Sequence, residues 1–170
     1  SIWQALGDAY MKQNVLPLGI TNYQKAIDLD PKRVNTHYKL AAAYEKDRKY
    51  REAVNAYRAV QQLDPSYADA YFQEAQIWMR TKDPKNYRNA LEPFRRYTEQ
   101  RPKDFNGLKL YAQALEATGS DSLAAAVAWR ALQVDSSSQD IWRTYFYALV
   151  ETKDTRKAEA ALKSMERRGG

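Results

Sequence analysis

Residues 1–31 read SIWQALGDAYMKQNVLPLGITNYQKAIDLDP. Trp3, Leu6, Gly7 and Tyr10 come first, followed by the small Gly19, then Tyr23, Ala26 and a closing Pro31. Spacings of three and four put Leu6 near Tyr10 and Tyr23 near Ala26, so the stretch predicts two amphipathic helices joined by a turn. A small residue such as Gly7 suits a place where one helix approaches its partner closely, since a larger side chain there would force the pair apart.

The same order of residues returns along the chain. The second unit carries His37, Leu40, Ala41, Tyr44, Ala53, Tyr57, Val60 and Pro65, and Pro31 to Pro65 is a period of 34 residues. The third has Tyr71, Ala75 and Trp78, after which Ala90, Phe94, Tyr97 and Pro102 arrive three residues late. Insertions are tolerated in loops, so the extra residues are expected in the turn around Lys82 to Asn86, KDPKN. The fourth unit returns to register with Leu108, Tyr111, Ala112, Leu115, Ala124, Ala128 and Ala131, but Ser136 stands in the proline's place. A fifth has Trp142, Tyr145, Phe146, Leu149, Ala158, Leu162 and Met165.

This pattern resembles the tetratricopeptide repeat, with units near 1–33, 34–67, 68–104, 105–138 and 139–170 forming a single array. The resemblance implies an all-α fold, an α-α superhelix in which antiparallel helix pairs stack as a solenoid, with the first helix of each pair lining the concave wall. Ten helices are expected, near 2–13, 18–29, 35–47, 51–63, 68–81, 88–100, 105–118, 121–134, 139–152 and 155–167. Each unit contacts mainly its neighbours, so the ends should fray first.

Punctuation supports the map. Asp30, Asp64 and Arg101 precede prolines that close second helices, and Pro17 falls in a first turn where its missing N–H does no harm. Ser120 and Asp121 suit the start of the fourth unit's second helix. Pro93 falls inside an expected helix, so that helix should start late, with Asn89 and Glu92 near its cap, or bend near Leu91.

Composition narrows the function. With 170 residues, 44% of them hydrophobic and 28% charged, the chain is long enough to bury a core. No apolar run reaches the roughly 18 residues of a membrane span. Absence of cysteine removes disulfides and thiol chemistry, and one His without Cys makes no ordinary zinc site. No nucleophile sits beside a base and no phosphate loop occurs, so neither enzymatic activity nor a cofactor is expected. The chain opens on Ser1 inside a helical pattern, which reads as a piece of a longer protein.

The net charge of +6 arises from 27 basic and 21 acidic residues that are interspersed, which argues for solvated helix faces rather than nucleic acid. The densest basic cluster, Arg95, Arg96, Arg101 and Lys103, belongs mostly to a second helix and hence to the outer face, where nucleic-acid binding is the least favoured alternative.

The resemblance implies a scaffold that holds a protein or peptide on the inner wall. Side chains there that the repeat does not need for packing are Tyr38, Phe72 and Met79 as apolar anchors, with Gln76, Gln113, Lys109 and Arg143 as polar contacts and Tyr147 beside them. Packing of Tyr38 on Phe72, or pairing of Lys109 and Arg143 with Glu116 and Asp140, is the competing use of the same residues. His37 stands at an aromatic packing position and reads as a core residue. The two-carboxylate clamp of some relatives is absent, since its places hold Gln4, Asp8, Ala42, Asp69 and Gln73. A second possibility is self-association through the repeat ends, or service as a structural arm of an envelope or secretion assembly.

Overall fold

The computed structural model describes residues 1–80 and 83–169. Among these the chain is all-α, with ten helices: α1 (Ile2–Lys12), α2 (Leu16–Leu29), α3 (Val34–Lys46), α4 (Tyr50–Leu63), α5 (Ala68–Arg80), α6 (Pro84–Gln100), α7 (Phe105–Ala117), α8 (Asp121–Val134), α9 (Gln139–Glu151) and α10 (Thr155–Gly169). The chain divides into two compact units, Ser1–Ile77 and Trp78–Gly170.

In Ser1–Ile77, α1 packs on α2, α2 on α3, and α3 on α4. The core at the junction of α1, α2 and α3 is Ile20, Tyr23, Leu40 and Ala43, with Met11, Ile27 and Tyr44 packed against it. Gly7 is the reason that α1 and α2 come so close. A Cβ on Gly7 would lie 2.6 Å from the Tyr23 ring, well inside van der Waals contact. The ring has little room to retreat, because its hydroxyl donates a 2.7 Å hydrogen bond to Asp8. Leu6, a motif residue, is 39% exposed, because α1 has no preceding helix packed on it among the described residues.

In Trp78–Gly170, α6, α7, α8, α9 and α10 pack in succession, and α7 also meets α9. Phe94, Leu108, Leu115, Val127 and Ile141 are almost completely buried. The fourth unit's helices meet through small residues, with Ala112, Ala124, Ala128 and Ala131 all fully buried. The fifth unit breaks this rule by placing Phe146 at the small position. Its α9 and α10 pack less closely than α1 with α2, α3 with α4 or α7 with α8.

The turns between helices of a pair share one device. Asn14, Arg48 and Lys153 have φ of 60°, 59° and 60°, and Gly119 has 72°. These occupy the same place in four units. After each, the next N–H reaches back five residues: Val15 to Tyr10 at 2.9 Å, Lys49 to Tyr44 at 2.9 Å, Ser120 to Leu115 at 2.9 Å and Asp154 to Leu149 at 2.9 Å. This is a Schellman closure, which satisfies the last carbonyls of the first helix and needs a left-handed residue. The corresponding place in the third unit, at Thr81 and Lys82, lies outside the described residues.

Two of the turns between pairs are closed by an aspartate. Asp64 Oδ1 accepts from the Ser66 N–H at 2.9 Å, and Asp135 Oδ1 accepts from the Ser137 N–H at 2.8 Å. One of these turns carries Pro65 and the other Ser136, so the proline is dispensable where the aspartate is present.

Two expectations are corrected. The third unit's second helix does not start late: α6 runs continuously from Pro84 to Gln100 with Pro93 inside it. The three extra residues therefore lengthen the helix and not the turn. Asp83 caps it by accepting from the Lys85 N–H at 2.9 Å, and Pro84 takes the first position, where no donor is needed. Of the expected insertion, Lys82 lies outside the described residues. Pro93 is buried, and the exposed Asn89, whose carbonyl loses its intrahelical partner, leaves that oxygen within reach of water. Ser120 makes no side-chain cap on α8. Its backbone already closes α7, and its hydroxyl lies 3.4 Å from that of Thr118.

Replacing Gly7 by Ala should destabilise the chain by about 1–3 kcal/mol, the usual cost of overpacking a rigid contact, read by chemical denaturation. Arg48→Gly and Lys153→Gly should each raise stability by roughly 0.5–1 kcal/mol, since a left-handed side chain is strained where glycine is not.

Candidate functional site

In Ser1–Ile77 the exposed edges of α1, α3 and α5 are largely occupied with one another. Asp8 on α1 accepts from Tyr23 of α2 and, at 2.7 and 2.8 Å, from Lys39 Nζ of α3. Burial would raise the Asp8 carboxyl, but the hydrogen bonds from Lys39 and Tyr23 outweigh it and hold the group below the usual aspartate value. Burial, and then the bond to Asp8, pushes the Tyr23 phenol up. Thr36 Oγ1 donates to Gln4 Oε1 at 2.7 Å, again from α3 to α1.

Tyr38 is half-buried, with its ring centroid 5.5 Å from that of Tyr57 and 5.1 Å from that of Tyr67. Gln73 hydrogen-bonds to its phenol, and burial raises the phenol's pKa. Its ring partners are thus tyrosines of its own repeat. Phe72 and Gln76 are half-buried on α5. The buried Glu74 is satisfied by Arg58 and Gln61, each at 2.7 Å. His37 is half-buried, and its Nε2 donates to the Pro31 carbonyl at 2.8 Å, fixing it as a structural residue of the turn.

In Trp78–Gly170 the first helices are less committed. Met79 is half-buried at the end of α5. Lys109, Gln113 and Glu116 rise along one face of α7, and Arg143, Tyr147 and Val150 along one face of α9, in each case at i, i+4 and i+7. The two helices are neighbours, and their register is set by Thr144 Oγ1, which donates to Glu116 Oε2 at 2.7 Å. Arg143 pairs with Asp140 at 3.0 Å, but both side chains are about 60% exposed, so the pair contributes little and is easily exchanged. Tyr147 is 51% exposed and rests on Phe146, with ring centroids 5.6 Å apart. Lys109 and Gln113 have no hydrogen-bond or ion-pair partner among the described residues.

The arrangement offers one cation in Lys109, a second in Arg143, an amide in Gln113, and an apolar strip in Tyr147 and Val150. It can hold a chain by charge, hydrogen bonding and apolar contact. Sequence reasoning missed the Thr36–Gln4 and Thr144–Glu116 bridges; their signal is a threonine on the buried side of a first helix.

On α6 the basic cluster is partly neutralised. Arg95 is bound by Glu92 and Glu99, and Arg96 by Glu92 at 3.1 Å. Arg101 and Lys103 are exposed. Among the described residues no group of His, Cys, Asp and Glu is placed to hold a metal, and no helix is long and apolar enough to cross a membrane.

Comparison with known proteins places this architecture. Profiles described as TPR repeat and Tetratricopeptide repeat match residues 7–47 and 34–67. The tetratricopeptide repeat domain-containing protein PYG7, chloroplastic, of Arabidopsis thaliana is 34% identical over 65 residues, which make up 38% of this chain and 22% of that protein. The match therefore spans under a quarter of that relative's length. A crystal structure of MamA superposes with a TM-score of 0.78 at 16% identity, over 98% of this chain and 90% of that one. That of YrrB, described as a TPR protein with an unusual peptide-binding site, gives 0.76 at 17% identity, over 96% and 82%. At these identities the likeness is one of fold.

The Asp8 pair makes a test by pH. A depressed folded-state pKa stabilises the chain above the ordinary aspartate value of about 3.9, and that contribution is lost as pH falls through the folded value. Asp8→Asn should therefore lower Tm at pH 7, and thermal melts should show its gap from the wild type closing below about pH 4.

Proposed function

We propose that this chain, a tetratricopeptide-repeat protein of about five repeats, is a non-catalytic interaction scaffold that holds a peptide segment of another protein along the faces of its first helices. The tetratricopeptide fold supports a scaffold role in general. The finer reading rests on one observation: on the neighbouring α7 and α9, Arg143 and Tyr147 are exposed, and Lys109 and Gln113 are half-buried with no hydrogen-bond or ion-pair partner among the described residues. Within Ser1–Ile77, Phe72 and Gln76 on α5 and Tyr38 on α3 are assigned as contacts of their own unit's first helices, with Tyr38 giving up the least area because tyrosines already pack on it, and Met79 is assigned as a contact within Trp78–Gly170.

The division of labour follows from energetics. Tyr147, with its large ring held by Phe146, loses little conformational freedom on binding and suits an anchor. Arg143 can exchange the exposed Asp140 for a partner's carboxylate at small cost, and Lys109 can add a second charge contact. YrrB, a structural relative, carries a peptide-binding site by its own description, which is in keeping with this reading.

Capture of partners on immobilised protein tests it. The double substitution Arg143→Ala with Tyr147→Ala should remove the bound protein or weaken it at least tenfold, since two central contacts of this kind contribute about 1–3 kcal/mol. Lys163→Ala on α10 should leave it unchanged. Retention of the same partner at the same affinity by the folded double variant would overturn the assignment of this face.

A further inference from the structure

A cavity of about 770 Å³ opens between α8, α9 and α10 within Trp78–Gly170, and it shares no lining residue with the α7–α9 face described above. Its walls are stripes of small residues, Ala125 and Ala126 on α8 and Ala160 and Ala161 on α10. Its base is aromatic: Trp129 and Tyr145 lie with ring centroids 5.4 Å apart, and Trp142 meets Tyr145 at 6.2 Å. Trp142 and Tyr145 are buried, whereas Trp129 is 46% exposed and is the free ring of the groove.

A peptide backbone finds partners here. The Thr152 hydroxyl spends its proton on the Ala148 carbonyl at 2.9 Å and the Ser164 hydroxyl on the Ala160 carbonyl at 2.9 Å, so both oxygens keep lone pairs to accept an N–H. The Ser122 hydroxyl and the Trp129 indole N–H have no hydrogen-bond partner among the described residues, and the indole can donate to a carbonyl. These groups serve any peptide, and charge selects among peptides.

Asp154 is the acid of the lining, and Lys157 neutralises it at 3.0 Å. Around the mouth the charge is basic. On α10 the stripe from Lys157 to Ser164 faces the groove; at about 3.6 residues per turn Arg156 and Arg167 fall on the solvent edge beside it, while Glu159 and Glu166 fall on the side turned away. Arg156 and Arg167 are exposed and make no ion pair among the described residues. Arg130 stands on the solvent edge of α8, its guanidinium donating to the Thr98 carbonyl at 3.3 Å. An apolar trough edged by guanidinium groups suits apolar side chains that come with carboxylates, which arginine can bind through two parallel hydrogen bonds. Single-stranded nucleic acid fits less well, because successive bases need successive exposed rings and Trp129 is the one exposed ring of the groove.

We propose that the α8–α9–α10 groove is a second interaction site, which binds an acidic segment of a partner protein with that segment's apolar side chains seated on Trp129 between the alanine walls and its carboxylates paired with Arg156, Arg167 and Arg130. The site differs from the first-helix face in its residues and in the helices that build it.

Titration of the isotope-labelled chain with a short synthetic peptide of leucine, phenylalanine and glutamate, followed by amide and indole spectra, tests this. The expected result is a saturable shift of the Trp129 indole N–H together with amides of α8 and α10, weakened by added salt. Trp129→Ala should weaken binding roughly tenfold. Arg156→Glu with Arg167→Glu, at exposed positions that the core does not use, should weaken it by about tenfold or more. The Arg143→Ala, Tyr147→Ala double variant should bind this peptide at the Trp129 site as the wild type does, so failure of one site is read separately from failure of the other. The proposal is overturned if the peptide gives no saturable shift at Trp129, if the same peptide with lysine in place of glutamate binds equally well, or if the charge-reversed variant keeps the wild-type affinity. A single-stranded oligothymidylate that binds the groove more tightly than the peptide would also overturn it, as would a wild-type dimer in sedimentation that Trp129→Ala dissociates, because a second copy would then be the occupant.

Discussion

The Tyr23 ring lies against Gly7, and its hydroxyl reaches Asp8 one position further along the same helix. The rest of the architecture depends on this kind of contact. A residue without a side chain lets two helices close, an aromatic ring fills the seam, and a polar atom at the ring's far edge is satisfied by an acid. Tyr57 repeats the last step with Glu45 at 3.0 Å, and Tyr97 repeats it with Asp104 at 3.1 Å. Asp8 also takes Lys39, so one carboxylate joins the two helices of a pair and ties that pair to the next. Buried polar atoms are satisfied throughout the described residues, as a close-packed helical stack requires.

What was legible in the sequence follows from which of these constraints has a period. The helix pairs were readable because the small, aromatic and closing residues recur at 34-residue intervals, and nine of the ten helix starts lie within two residues of expectation. The start of α6 was not, because Pro93 was weighed as a helix breaker when its neighbours Ala90, Phe94 and Tyr97 bury that face and hold the helix through it. Packing outweighed propensity there. The left-handed turn residues were hidden for a different reason: Gly119 advertises its conformation, but Arg48 and Lys153 do not, and only the hydrogen-bonded frame around them imposes it.

The side chains expected on the inner wall differ from one another in their surroundings. Position alone treats Tyr38 and Tyr147 alike, as large side chains on the free edge of a first helix. Their neighbours distinguish them, since Tyr38 has Tyr57 and Tyr67 on either side and Tyr147 has only Phe146 beneath it. Phe146 itself was visible in the sequence as a large residue at a small position. Repetition therefore specifies the fold and leaves the proposed partner surface to the side chains that do not repeat.

Hydrogen–deuterium exchange of the chain, alone and bound to a captured protein partner, tests the central claim most directly. The account predicts slowed exchange in residues 105–117 and 139–151, the α7 and α9 segments that carry Lys109, Gln113, Arg143 and Tyr147. Unchanged exchange in both segments, with slowing confined to the second helices α6 and α8, would contradict it.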